Sequence, residues 1–311
     1  MPTRDRHALT PSQLDAIFDT IIRPNLFDPP RHNDNPLVIL VGAQPGAGKT
    51  RAGLDAIHES NRVVVPIVGD DLRPFHPLYQ SLIESDPLSM PDATAQASGA
   101  WVERAIHYAA DKKVNVLIEG TFRDPDTVLA TASLFKSLSF SVEAHIVAVP
   151  PEVSRAAIAE RFVHDEQTNG QARFTPLAAH DAALAGMPET IRRIAEAGSP
   201  VDRIVVRTRA AVVFDRTRTQ GRSIRGVLRA IQTEWDRPLT REERQRFAAQ
   251  TEMLTDYLDN WHAGDERTDV LVRQMRMDQH YVELASTGQV AVRGHVRDGH
   301  DVSPYVRGLP T

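Results

Sequence analysis

Lys49 and Thr50 stand side by side at the end of a glycine-rich turn, in the run Val38-Ile39-Leu40-Val41-Gly42-Ala43-Gln44-Pro45-Gly46-Ala47-Gly48-Lys49-Thr50. An ammonium and a hydroxyl in that order suit the binding of a nucleoside triphosphate. The apolar run reads as a buried strand. The turn through Gln44, Pro45, Gly46, Ala47 and Gly48 then delivers the chain into a helix N-terminus. Successive backbone N–H groups can cradle the β- and γ-phosphates of such a nucleotide, aided by the positive end of the helix dipole. Lys49 would reach the β/γ-phosphate oxygens, and the Thr50 hydroxyl would ligate Mg²⁺. This loop pattern asks for glycine five residues before Gly48, where the chain has Ala43. A Cβ is tolerated there if φ is negative.

Two further groups of residues could act on a phosphate held in that turn. Asp70 and Asp71 follow the apolar segment Val63–Val68, one glycine (Gly69) beyond its end. Either could take a proton from a hydroxyl lying opposite the γ-phosphate, and either could equally be a turn or helix-cap aspartate. Arg73, His76 and Pro77 lie just beyond, as substrate contacts or loop residues. Glu119 closes the apolar run Val114–Ile118 and should face a cleft, on the Mg²⁺ shell or on substrate. Thr121 and Arg123 follow on the same loop, with Arg123 placed to neutralise phosphate. Glu103, mid-helix beside Trp101, reads by pattern alone as a surface residue. Arg155, Arg161 and Arg173 lie in a helix–loop–helix excursion of the kind that closes over a γ-phosphate, where planar guanidinium forks stabilise developing charge.

These residues need a scaffold. Strands are expected at 37–41, 63–68, 114–118 and 141–149, with weaker ones near 203–206 and 211–214. Helices alternate with them, including one from Gly48 to His58, one from Asp92 to Ala110, and one capped by Asp124 with Pro125 at its first position. Strands alternating with helices give an α/β fold, a P-loop kinase-like doubly wound and mostly parallel sheet flanked by helices. Ligands in such sheets bind beyond the carboxyl ends of the strands, where Gly42, Asp70 and Glu119 all fall. An amphipathic helix at 11–23 precedes the sheet, as a docking element or as packing on the sheet. After about Arg216 a C-terminal helical extension begins. Helices at 222–236 and 240–262 carry apolar stripes (Ile224, Leu228, Ile231, Trp235, Met253, Leu254, Tyr257, Trp261) read as packing. The second opens with a Thr240/Glu243 capping box and a hydrophobic staple at Leu239. The expected division is a kinase core with N-terminal helix and lid over 1–215, a helical extension packing on it over 216–264, and a tail of no readable role over 265–311, with a hairpin around Ser286-Thr287-Gly288.

Composition narrows the classes. Across 311 residues the hydrophobic share is 41% and the charged share 25%, ordinary for a globular chain. A net charge of −5 speaks against broad nucleic-acid binding. With no cysteine, thiolate metal sites, disulfides and cysteine nucleophiles are excluded. No apolar stretch approaches the ~18 residues that span a membrane. Met1–His7 lacks a hydrophobic signal core, so a cytoplasmic location is expected.

Taken in order, Gln44-Pro45-Gly46-Ala47-Gly48-Lys49-Thr50, Asp70-Asp71-Leu72-Arg73 with His76-Pro77, Ile118-Glu119-Gly120-Thr121-Phe122-Arg123, Glu160-Arg161 and Gln171-Ala172-Arg173-Phe174-Thr175-Pro176 resemble the zeta toxins, over roughly residues 12–262. These are the kinase component of epsilon/zeta toxin–antitoxin systems. The resemblance implies an ATP-dependent kinase that phosphorylates the 3′-hydroxyl of the sugar of UDP-N-acetylglucosamine and so blocks peptidoglycan synthesis. It implies Asp70, rather than Asp71, as the catalytic base. It implies that Lys49 and Thr50 bind ATP and Mg²⁺, and that Glu103 contacts the sugar nucleotide, against the pattern reading of that residue. Glu119, Thr121 and Arg123 would line the same pocket, with Arg73 nearby, and Arg161 and Arg173 would embrace the γ-phosphate. A small helical antitoxin, encoded separately, is the implied partner. A kinase for another small-molecule hydroxyl (a nucleoside, an antibiotic, NAD or another nucleotide sugar) and a nucleotide-dependent binding switch are the competing readings.

Overall fold

The computed structural model describes residues 7–29, 31–169 and 174–287. Six strands form one sheet in the order β2-β3-β1-β4-β5-β6. They are β1 (Leu37–Gly42), β2 (Val65–Ile67), β3 (Val116–Gly120), β4 (Ser141–Val147), β5 (Arg203–Arg207) and β6 (Val212–Thr217). The first five run parallel, and β6 returns antiparallel to β5. Central strands of a parallel sheet are covered on both faces and so read as unbroken apolar runs. β1 is such a strand, buried at every position.

Side-chain alternation sorts the strand residues between two layers. Val38, Leu40, Val116, Ile118, Val142, Ala144, Ile146, Ile204 and Val206 face the main core. That face is covered by α1 (Pro11–Ile17), a π-helical turn (Phe18–Ile22), α2 (Arg23–Phe27), α7 (Ala95–Lys112), α8 (Pro125–Ser137), α10 (Leu177–Ala195) and α11 (Val227–Asp236). The N-terminal helix therefore packs within its own domain, and the Trp101 indole donates to the Leu14 carbonyl at 3.1 Å. The opposite face carries Leu37, Ile39, Val41, Leu117 and Val147 under α3 (Lys49–Ser60). Toward β5 and β6 this second face turns polar. Glu143 bonds His145 at 3.0 Å and Arg203 at 3.1 Å, Arg203 bonds Asp215 at 2.7 Å, and Arg207 pairs with Glu59 of α3.

A separate apolar cluster joins three helices outside the sheet: α9 (Pro151–Asn169), α12 (Arg241–Trp261) and α13 (Glu266–Ser286). Phe162, Phe174, Phe247, Leu254, Leu258, Leu271 and Met275 fill it. The four remaining helices, α4 (Gly69–Leu72), α5 (Tyr79–Ser85), α6 (Met90–Ala93) and a 3₁₀ turn at Arg73–Phe75, follow β2. Among the described residues no helix is long and apolar enough to cross a membrane.

Several expectations are corrected. The strand expected at 63–68 is a three-residue edge strand, Val65–Ile67, and Val63 lies outside it, 57% exposed. It pairs with β3 alone, and Pro66 lacks an N–H, so it stays short. The segment read as a tail of no readable role, with a hairpin, holds the 21-residue helix α13 up to Ser286. The expected hairpin is therefore replaced at Ser286, and its Gly288 lies outside the described residues. Three members of the apolar stripes, Leu228, Met253 and Trp261, are 37%, 57% and 73% exposed and pack little. The Thr240/Glu243 capping box forms as expected. The hydrophobic staple does not, because the facing position is Arg244, which donates to the Leu239 carbonyl at 2.7 Å.

Candidate active site

The phosphate loop spans the gap between β1 and α3. Gly48 caps α3 at φ +98°, and Gly46 sits at φ +77°. At Gly46 more than φ is at stake, because a Cβ there would lie 2.0 Å from the Ser154 carbonyl oxygen on α9. Ala43 is fully buried, is not among the described residues with positive φ, and donates its N–H to the Gly120 carbonyl at 3.4 Å. Its Cβ therefore fits where the loop pattern has glycine. Gly42 is the position that needs glycine for space, since a Cβ would overlap the Phe122 ring at 2.2 Å. The Lys49 ammonium reaches back to the carbonyls of Ala43 and Gln44 at 3.2 and 3.4 Å, across the mouth of the loop. Thr50 is exposed in the first turn of α3. Gln44 departs from a simple loop role, because its side chain is wholly buried and donates to the Val149 carbonyl and the Ser154 hydroxyl. Pro45 and Ala47 complete the turn, with the Ala47 N–H donating to the Gln44 carbonyl.

The carboxylates arrive from neighbouring strands. Asp70 lies in the first turn of α4, past the carboxyl end of β2, and accepts from Arg73 Nε at 2.9 Å. Arg73 is itself anchored through Nη1 to the Pro91 carbonyl and to Thr94 Oγ1, at 2.6 and 2.7 Å. Helix α7 braces the same turn, as Ser98 donates to the Gly69 carbonyl and Val102 lies over Gly69. Glu103 follows Val102 on α7 and is exposed, with open space above Gly99 one turn earlier. Glu119 falls on the α3 face of β3, the face that Leu117 also takes. Its Oε1 lies 3.7 Å from where a Gly53 Cβ would sit, one helical turn beyond Thr50. This carboxylate is therefore beside the phosphate-loop helix.

The β3–α8 loop is fixed by Phe122, which is buried at φ +53° over Gly42. Thr121 is half-buried and Arg123 exposed on either side of it, while the Arg123 carbonyl presses against Gly186 of α10. On α9, Arg161 Nη2 donates to Thr175 Oγ1 at 2.7 Å. Arg173 lies outside the described residues. Arg155, grouped with these two by its sequence position, turns away from the phosphate loop and is held bidentately by Asp278 of α13 at 2.6 and 2.7 Å.

Two residues at the loop were missed in the sequence. Arg209, in the β5–β6 turn, donates to the Gly46 carbonyl at 2.9 Å. Ser154 contacts both Gln44 and Gly46. A serine in a helix and an arginine among many carry no local signal, because each meets the loop only through tertiary packing. Among the described residues no cluster of three or more His, Asp or Glu could cage a metal ion. A magnesium ion held mainly by phosphate oxygens and water requires no such cage.

The sequence model of the family described as Zeta toxin matches residues 25–219. Toxin PezT of Streptococcus pneumoniae serotype 4 is 31% identical over 167 residues, covering 53% of this chain and 66% of that protein. Toxin zeta of Enterococcus hirae is 28% identical over 169 residues, covering 53% of this chain and 58% of its own length. The match thus spans under two thirds of these relatives. A solved structure from work on the PezAT chromosomal toxin–antitoxin system of Streptococcus pneumoniae superposes with a TM-score of 0.66. It covers 81% of this chain and 99% of that one, at 24% identity, a likeness of fold. The family model covers well over half of the chain and takes in the phosphate loop, Asp70 and Glu119, and the chain belongs to the zeta toxin family.

Proposed function

We propose that this protein is a kinase toxin, transferring the γ-phosphoryl group of ATP to the sugar 3′-hydroxyl of UDP-N-acetylglucosamine. The observation that carries this reading is the convergence of the Lys49 loop, the braced Asp70 and Glu119 at the carboxyl ends of three adjacent strands. Backbone N–H groups of residues 44–48, Pro45 excepted, would bind the phosphates, with Lys49 leaving its carbonyl partners for the β/γ-oxygens. Thr50 and Glu119 would hold Mg²⁺, which supplies charge neutralisation on the phosphates. Asp70 would accept the proton of the acceptor hydroxyl as its oxygen bonds to the γ-phosphorus. The bond to the bridging oxygen then breaks, and ADP leaves. Arg73 would keep the Asp70 carboxylate aimed, and Arg161 and Arg173 would stabilise charge on the transferring group. Glu103, Thr121 and Arg123 would bind the nucleotide sugar. A separately encoded antitoxin is the partner proposed from the toxin–antitoxin system named for the structural relative.

Purified protein with Mg²⁺-ATP and UDP-N-acetylglucosamine, followed by mass spectrometry, tests this reading. The expected result is a singly phosphorylated sugar nucleotide. Asp70→Asn should cut turnover by about 10²–10⁴-fold while ATP affinity stays near wild type, as for loss of a general base. Phosphorylation of a different hydroxyl compound would move the acceptor. ATP binding with no acceptor phosphorylated across a metabolite extract would favour a nucleotide-dependent switch instead.

A further inference from the structure

A line of polar groups, buried except at the half-exposed Asp181, runs from α13 to the phosphate loop. It begins at Asp278 of α13, 1% exposed, which grips the Arg155 guanidinium through both oxygens. Burial alone would weaken the charge on Arg155, but the Asp278 carboxylate outweighs it and the guanidinium is held more firmly protonated. Gln274, one turn earlier on α13, steadies Asp278 at 3.0 Å. Arg155 Nη1 lies 3.7 Å from Asp181, and Asp181 accepts from His180 Nδ1 at 2.9 Å. Burial pulls His180 below its ordinary value, and with the proton on Nδ1 the neutral ring presents Nε2 as an acceptor to the Ser154 hydroxyl at 2.8 Å, whose one proton is shared with the Pro151 carbonyl at 2.9 Å. Ser154 Oγ in turn accepts from Gln44 Nε2 at 3.3 Å. Gln44 closes the line, because its own backbone carbonyl receives the Lys49 ammonium.

Ser154, His180 and Asp181 have the order of a nucleophile, a base and an orienting acid. Ser154 and His180 are both wholly buried, so no substrate reaches them and that chemistry is excluded. What the arrangement can do is hold position. Ser154 touches the loop twice, through its hydroxyl at Gln44 and through its carbonyl against Gly46. The α9 turn that carries it also carries Arg155, so α13 and the loop grip neighbouring residues of one helix.

We propose that α13 is a positioning element for the nucleotide site, with Asp278 setting the phosphate loop through Arg155, His180, Ser154 and Gln44. This rests on the nucleotide-binding reading above. Linkage makes such a connection reciprocal: if α13 favours the binding-competent loop, a bound nucleotide must stabilise α13 by the same factor.

The test uses the full chain and a non-hydrolysable ATP analogue with Mg²⁺. Ser154→Ala and Asp278→Asn should each raise its Kd by about 3- to 30-fold, and the double variant should be little worse than the weaker-binding single variant, as for residues in one network. Thr240→Ala, which removes a cap of α12 away from this line, should lower Tm while leaving Kd within about twofold. In wild type the analogue should slow amide exchange across residues 266–286, and Ser154→Ala should abolish that slowing. This last readout does not require the Asp278 variant to fold. Unchanged Kd in both single variants, effects that simply multiply in the double variant, or no slowing in α13 would each overturn the proposal. Wild type that binds no analogue would overturn the nucleotide reading itself, which separates the two failures.

Discussion

Arg73 is the residue that holds Asp70, the proposed base, in place. The aspartate side chain is 42% exposed, and its fixed direction comes from a guanidinium pinned to Pro91 and Thr94. Arg73→Ala should therefore lower kcat by about 10- to 100-fold, as displacement of a catalytic group by an ångström does, with KM for ATP nearly unchanged. Steady-state kinetics over both substrates checks this, and a rise in KM for ATP with kcat intact would contradict it. Gly42→Ala makes a different prediction. The added methyl meets the Phe122 ring, and overpacking of this kind costs about 1–3 kcal/mol. Thermal unfolding should show the loss, and the loop bearing Thr121 and Arg123 should shift with it. Lys49, Asp70 and Glu119 stood out in the sequence because each interrupts or follows an apolar run: Lys49 after the glycine turn beyond β1, Asp70 just past β2, and Glu119 near the end of β3. Glu103 did not stand out, since on an exposed helix face a ligand and a solvated glutamate look alike. Arg155 misled for a related reason: its place on α9 beside Arg161 suggested phosphate, while its partner lies 123 residues away.

At the level of elements, local chemistry predicted what it controls. The α12 start illustrates this, because Thr240 and Glu243 bond each other's backbone and Glu243 also holds Arg237 at 2.7 Å. The hydrogen bonds from Arg237 draw the Glu243 carboxyl down to about 2. Thr240→Ala should cost about 1 kcal/mol, or a Tm decrease of about 2–4 °C in a chain of this size class. No measurable change in Tm would show that the α9–α12–α13 cluster holds this end without its cap. The elements that escaped sequence reading depend on distant partners. β2 is short because it is an edge, and α13 exists because α9 and α12 offer its Leu271 and Met275 a cluster to enter. The sequence of α13 mixes Arg, Asp and His with those apolar residues, so the stripe is hard to see without its neighbours.

For the molecule as a whole, the three histidines buried among the described residues set the response to acid. Burial holds His76, His145 and His180 below their ordinary value of 6.5. An unfolded chain protonates these rings near pH 6.5, whereas the folded chain resists. Stability is therefore full above pH 7 and falls as the pH drops through that value, by up to about 1.4 kcal/mol per pH unit for each histidine. The depressed carboxyls, Glu243 and Asp265 at about 2, lose their contribution only in a lower window, below about pH 4.5. Urea midpoints at pH 7.5 and 5.5 should separate accordingly, the lower pH giving the lower midpoint. Equal midpoints would show that the rings are hydrated or charged in the native state.

The sheet order carries one last consequence. One margin is the three-residue β2 with Pro66 at its centre, and the other is β6, which bears Asp215 and Arg216 and pairs with β5 through an irregular register. Short, proline-bearing, charged or irregular margins refuse an added strand and resist edge-to-edge aggregation. Among the described residues, then, the backbone of this sheet offers no template for an incoming chain. A protein that restrains it would have to recognise side chains on helices and loops, and its own contact segment need not be extended.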